Sequence, residues 1–166
     1  MSPAGRDAQT SRYRIVGVTL DEGSIARRGP EIEEERKIAV YDLLEGNRFA
    51  PKGSQGGPYR LLLAVAEGRL VFDVRLEDGA EHARIVLSLT PFGRVLKAYR
   101  EICDSYYAAV RDSHPVRIEA IDMGRRGLHD EGAALLIERL EGKIAMDLMT
   151  ARQLFTLICA LSLKGA

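Results

Sequence analysis

Apolar side chains along this chain switch between two spacings, every second residue and every third or fourth, and each switch marks a new element. From Tyr13 to Leu20, Val16, Val18 and Leu20 alternate against Ile15 and Thr19, which predicts a strand. Helical spacing takes over at Pro30, with Ile32, Ala39, Val40, Leu43 and Leu44 along one side. Pro30 suits a first turn that needs no amide hydrogen, and Glu31, Glu33, Glu34 and Glu35 favour the positive end of the helix. Gly46 ends it, and Asn47 to Pro58, rich in glycine and proline in its second half, reads as a loop.

Three further apolar runs are divided by Glu67-Gly68 and Asp78-Gly79, each placed for a two-residue hairpin turn. With those turns Leu63 faces Phe72, Leu61 faces Val74, Phe72 faces Ile85 and Leu70 faces Leu87, so the large residues share one face of a meander. The same register sets Asp73 opposite Arg84 on the other face. Thr90-Pro91 then reads as the cap and first residue of a helix carrying Phe92, Val95, Leu96, Tyr99, Ile102, Cys103, Tyr106 and Val110, which must stop before His114-Pro115.

Helical spacing returns from Pro115 to Leu140 through Ile118, Ile121, Leu128, Leu135 and Leu136, interrupted by Gly124, Gly127 and Gly132. One long helix whose glycines admit a close neighbour is expected here, rather than two helices split near Gly124 to Gly127. After Gly142 a short strand over Ile144 to Asp147 precedes a last helix, capped by Thr150 and running to Leu163. This helix is apolar nearly all round, which suits either the centre of the core or a homodimer interface. The expected fold is α+β: an antiparallel three-stranded meander joined at an edge by the N-terminal strand, with four helices packed mainly on one face. A mobile tail over 1–12 and a single domain over 13–166 complete the expectation.

At 166 residues, with 46% hydrophobic and 29% charged, the chain is long enough to bury a core without metals or disulfides. Lysine plus arginine and aspartate plus glutamate both number 24, so no overall field draws the protein to nucleic acid or anionic lipid, and any anion site must be local. Cys103 and Cys159 fall on apolar helical stripes and read as buried free thiols in a reducing compartment. Leu154 to Leu163, the most apolar stretch, is about half the roughly 20 residues a spanning helix needs, so no membrane segment is expected.

The stretches VTLDEGSIARRGPEIEEER, YDLLEGNRFAP, LSLTPFGRVLKAYREICDSYY and IEAIDMGRRGLHDEGAALLIERLEGKI come in that order. Together, from about Val18 to Cys159, they closely resemble uncharacterised protein family 0262, a small bacterial family, and IDMGRRGLH followed by an acidic-glycine pair is the most distinctive piece. The resemblance implies a bacterial cytoplasmic setting and supplies no catalytic residue or cofactor to carry over.

Functional groups crowd most densely between Asp122 and Gly132, where Asp122, Arg125, Arg126 and His129 fall along one side of a continuous helix. Arginine forks suit phosphate or carboxylate, and His129, oriented by Asp122 or Glu131, could move a proton near neutral pH. The competing and weightier reading makes Asp122 to Arg126 and Arg126 to Asp130 ordinary i to i+4 ion pairs. A second pair, Arg27 and Arg28, precedes the first helix, where it either adds to an anion site or answers the glutamates that follow. Gly53-Ser54-Gln55-Gly56-Gly57 lacks the lysine of a phosphate loop. His82, His114 and His129 lack metal-ligand spacing, so no metal or cofactor is expected. No serine or cysteine nucleophile motif is present, and Tyr106 and Tyr107 read as packing residues.

Three functions remain in view. The first is a non-enzymatic binding or regulatory protein that recognises a phosphorylated metabolite, RNA or an acidic protein surface through paired arginines. The second is a small enzyme using His129 as general acid or base on a phosphate- or carboxylate-bearing substrate. The third is an assembly factor acting through its C-terminal helix.

Overall fold

The computed structural model describes residues 12–21, 23 and 30–161. Within them the chain runs β1 (Ile15–Leu20), α1 (Pro30–Glu45), β2 (Phe49–Pro51), β3 (Tyr59–Ala66), β4 (Arg69–Leu76) and β5 (Glu81–Ser88), then α2 (Gly93–Arg111), α3 (Pro115–Leu140), β6 (Ile144–Met146) and α4 (Leu148–Cys159). The main sheet has the order β1-β3-β4-β5, with β1 parallel to β3 and the rest antiparallel. A parallel neighbour requires a crossover, and α1 lies in the stretch that makes it. β2 and β6 form a separate antiparallel pair, so the stretch expected as loop over Asn47 to Pro58 contains a short strand. Its partner lies some ninety residues downstream, beyond the reach of local pattern.

The meander has the register the alternation requires: Leu63 with Phe72, Leu61 with Val74, Phe72 with Ile85, Leu70 with Leu87 and Asp73 with Arg84. The second turn differs from expectation. Leu76 pairs across to Ala80, and the register shifts by one between Val74 and Arg75. The loop thus holds three residues, with Gly79 at φ +91, and a bulge at His82 restores the expected pairing beyond it. β1 also breaks its alternation: a shift between Ile15 and Gly17 lets Ile15 point inward along with Val18 and Leu20. Asn47 stitches this irregular start to the end of α1, bonding the backbone of Ile15 and the carbonyl of Leu43.

One core joins the inward face of the sheet to the helices. Tyr59, Leu61, Leu63, Leu70, Phe72 and Val74 share it with Val95, Leu96 and Tyr99 of α2, Leu136 and Leu140 of α3, and Leu154, Phe155, Leu157 and Ile158 of α4. α4 therefore occupies the centre. Its side chains Leu154, Phe155, Leu157 and Ile158 are buried within their own chain, the first of the two alternatives its sequence allowed. Asp147 caps α4, accepting from the Thr150 amide, while the buried Thr150 hydroxyl accepts from the Arg48 amide, so Thr150 is a cross-link rather than the cap. The helix ends at Cys159, short of the expected Leu163, which is outside the described residues. Thr90–Phe92 likewise forms a separate 3-10 turn before α2 instead of its first turn. α3 is one continuous helix of 26 residues, and no helix among the described residues is long and apolar enough to cross a membrane.

Candidate functional site

α1, α2, α3 and α4 each contribute to a cleft of about 260 Å³, lined by Glu35, Ile38, Ala39, Tyr99, Arg125, Arg126, His129, Gln153 and Thr156. The three-four spacing on α3 turns Asp122, Arg125, Arg126 and His129 toward this side, but their partners differ. Arg125 donates to Glu35 of α1 at 2.8 Å and to Asp122 at 2.9 Å, with its guanidinium carbon 4.2 Å from the Tyr106 ring centre. Arg126 is 78% exposed and, among the described residues, pairs only with the other oxygen of Asp122, at 3.0 Å. Charges thus alternate from Glu35 through Arg125 and Asp122 to Arg126. The fork of Arg125 is filled by carboxylates and holds α1 and α2 to α3, whereas most donors of Arg126 face solvent.

His129 sits with Nε2 2.8 Å from the Arg152 carbonyl oxygen and 2.9 Å from Thr156 Oγ1. A carbonyl only accepts, so the network assigns the hydrogen to Nε2 and leaves Nδ1 with a lone pair. The ring stacks on Tyr99 at 5.6 Å and lies 5.9 Å from Phe155. Burial lowers its pKa below the ordinary histidine value, against the opposing pull of the Arg152 carbonyl, so the imidazole is neutral at pH 7. Neither carboxylate expected to orient it does so. Asp122 is bound to Arg125 and Arg126, and Glu131 pairs with Arg94. Helix geometry explains this: Glu131 is two residues on and faces away, and Asp122 is about 10 Å back along the axis. Asp130, expected to pair with Arg126, instead accepts from Arg152 Nε at 2.7 Å.

A neutral, partly buried histidine makes stability depend on pH in a definite direction. Below about pH 6.5 the unfolded chain takes up a proton that folded His129 resists, so its contribution is complete above that value and is lost as pH falls through the window beneath it. Urea unfolding of wild type and His129→Gln from pH 8 to 5 should show a fall in wild-type stability that the variant lacks. The difference in slope should be no steeper than about 1.4 kcal/mol per pH unit. Parallel curves would refute the assignment.

Arg27 and Arg28 lie outside the described residues. Among the glutamates that follow them, Glu31 pairs with Arg111, Glu33 with Arg36 and Glu35 with Arg125. Tyr106, read from the sequence as packing alone, is also the platform beneath Arg125. Burial, then the neighbouring Glu35, keeps the Tyr107 phenol protonated far above its ordinary range. Cys103 and Cys159 are buried and in no disulfide, and burial pushes Cys103 up to about 11, which leaves its thiol without a thiolate fraction near neutral pH.

Sequence reasoning missed Gln153 and Thr156, which read only as polar positions on an apolar helix. It also missed a second polar cluster, in which Ser54 Oγ lies 2.5 Å from the Tyr59 hydroxyl, 2.8 Å from His82 Nε2 and 3.2 Å from the Gly56 amide. The bulge that carries His82 creates this meeting, and no spacing in the chain announces it. Burial raises the pKa of Tyr59 and keeps it a donor. The Gly56 amide donates to Ser54 Oγ, which also shares hydrogen bonds with the Tyr59 hydroxyl and with His82 Nε2. The cluster pins the 51–58 loop to β3 and β5. Among the described residues, no group of three His, Cys, Asp or Glu side chains is placed to hold a metal ion.

The family model described as Uncharacterised protein family (UPF0262) matches residues 12–164. A UPF0262 protein of Nitrobacter winogradskyi is 58% identical over 165 residues, covering 99% of this chain and 99% of its own length. Another from Nitrobacter hamburgensis is 59% identical over 157 residues, 95% of this chain and 96% of its own. A third, from Rhodopseudomonas palustris strain TIE-1, is 59% identical over 155 residues, 93% of this chain and 95% of its own. No solved structure matches the chain. The chain belongs to the UPF0262 family.

Proposed function

We propose that this member of the family is a non-enzymatic binding protein of the cytoplasm, whose helical cleft receives the anionic group of a small phosphorylated metabolite. The observation that carries this reading is the unequal state of the two arginines. Arg125 is held between Glu35 and Asp122, while Arg126 lines the same cleft with its side chain 78% exposed. Arg126 makes the charged contact with a phosphate, and Gln153, Thr156 and neutral His129 offer hydrogen bonds to the rest of the ligand. A polynucleotide fits less well, because it needs a track of cations and the cleft alternates charge. Two buried cysteines outside any disulfide support the reducing setting.

Thermal unfolding in the presence of inorganic phosphate, sugar phosphates and nucleotides tests the proposal. A ligand at about 100 times its dissociation constant adds about 2.7 kcal/mol to stability. Arg126→Ala should weaken that ligand about tenfold or more, as expected for the loss of a charge-assisted contact worth about 1.5 kcal/mol. It should leave the unliganded melting temperature nearly unchanged, because an exposed ion pair contributes little. Saturable binding indifferent to Arg126→Ala would overturn the proposal.

One observation favours a second reading, in which His129 is a general base. Its Nε2 hydrogen is committed to a carbonyl, so Nδ1 is available to accept a proton at neutral pH. On that reading His129→Gln retains ligand binding and abolishes turnover. Unchanged turnover would remove it.

A further inference from the structure

The face of the main sheet turned away from the helices bears a short aliphatic strip within a cationic frame. Alternation places Leu62 and Ala64 of β3, Val71 of β4 and Val86 of β5 outward, and Ala64, Val71 and Val86 lie directly opposite one another across three strands. Val71, at the centre of the row, is 7% exposed and Val86, at its edge, 38%. Arg60, Arg69, Arg75 and Arg84 point to the same face, and an added Cβ on Gly17 would come within 3.2 Å of Arg60 Nη1, so Arg60 lies across β1. Of the outward residues of β3, β4 and β5 two are acidic, Asp73 and Glu81, and both pair with Arg75, at 3.3 and 3.7 Å. Asp73 stands opposite Arg84 as expected but pairs with Arg75, and among the described residues Arg69 and Arg84 carry no ion pair.

We propose that this face docks an amphipathic helix of a partner protein, with an aliphatic stripe set on Val71 and Val86 and carboxylates flanking it on Arg69 and Arg84. Width, charge and composition support that occupant. The aliphatic row crosses three strands over about 10 Å, the rise of about two helical turns, so a helix lying along the row sets its stripe on it. Arg84 stands opposite Asp73, four residues along β4 from Arg69, so the two arginines lie on either side of the row and about 13 Å apart, close to the width of one helix with its side chains. Single-stranded RNA is the poorer fit, because sheet-binding RNA stacks its bases on aromatic rings and none of the outward positions of β3, β4 or β5 is aromatic.

The test uses the full chain, isotope-labelled, titrated with three probes: a helical peptide with leucine along one side and glutamate on both flanks, the same peptide with lysine flanks, and oligouridylate. The acidic peptide should shift the amide signals of Val71, Arg84 and Val86, and the Arg69→Glu, Arg84→Glu pair should weaken it at least tenfold. Val86→Lys, at an already exposed position, should do the same and serves if the double variant misfolds. Arg126→Ala should leave this binding intact, which separates it from the cleft. The proposal is overturned if the acidic peptide leaves the sheet signals unmoved, if the lysine-flanked peptide binds as well, or if oligouridylate takes the face in its place.

Discussion

Gly132→Ala is expected to destabilise the protein by about 2 to 3 kcal/mol, while Gly127→Ala, five residues earlier on the same helix, stabilises it by up to about 1 kcal/mol. A Cβ on Gly132 would lie 2.3 to 2.5 Å from three ring atoms of Phe155, and a Cβ on Gly127 meets nothing within 4 Å. The ring has little room to yield. Phe155 is fully buried, with Tyr99 against its edge at 5.5 Å and His129 at 5.9 Å. Alanine regains about 1 kcal/mol of helix propensity at either site, but at Gly132 the steric cost exceeds it. Gly124 lies between the two extremes, since its added Cβ would meet only Ile102 Cδ1, at 2.8 Å, the mobile tip of a side chain. For a chain of this length each kcal/mol moves the melting temperature by about 2 to 4 °C, so thermal unfolding separates Gly132→Ala from Gly127→Ala by about 10 °C. Equal melting would mean that α3 and α4 do not approach as described. Because this contact sets the distance from His129 to Thr156, Gly132→Ala should also widen the cleft and weaken its ligand.

The meander was legible because its evidence is local and redundant: alternating side chains, turn residues and an unlike-charge position agree on one register. That agreement survived an incorrect turn, since the bulge at His82 absorbs the extra loop residue and leaves Phe72 opposite Ile85. β2 was not legible, because three residues, Phe49 to Pro51, become a strand only by pairing with Ile144 to Met146. The same distance dependence explains α4. Its all-round apolarity left two options open, and only the packing of sheet and helices around Leu154, Phe155 and Leu157 decides for the core.

At the cleft, spacing identified which side chains of α3 share a side and gave no information on what they meet. Asp122, Arg125, Arg126 and His129 do line up, yet the partner that changes the chemistry is Glu35, ninety residues away and legible only as a favourable charge near a helix start. Thr156 and the Arg152 carbonyl, which fix the tautomer of His129, belong to α4 and carry no motif. One helix therefore suggests two equivalent arginines, and the packing of four helices makes them unequal.

That inequality sets the last expectation: Arg125→Ala should cost about 2 to 3 kcal/mol of stability, and Arg126→Ala under about 0.5. Arg125 is 22% exposed and its carboxylate partners Glu35 and Asp122 are 24% and 20% exposed, between a surface pair worth at most about 1 kcal/mol and a buried pair whose disruption costs about 3 to 5. Loss of Arg125 leaves Asp122 with Arg126, but it leaves Glu35 beside the buried phenol of Tyr107 without its cation and removes the contact over Tyr106. The damage should therefore depend on Glu35. In a double-mutant cycle, adding Glu35→Gln to Arg125→Ala should recover about 1 kcal/mol or more, because the uncompensated carboxylate is gone. Because the pair is partly shielded from solvent, the coupling should persist at 0.5 M salt, where exposed pairs fade. Additive losses, or a coupling abolished by salt, would make Arg125 as peripheral as Arg126 and return it to the anion site as a second open cation. A coupling that holds fixes Arg125 as the clamp between α1, α2 and α3, and leaves recognition of the anion to Arg126.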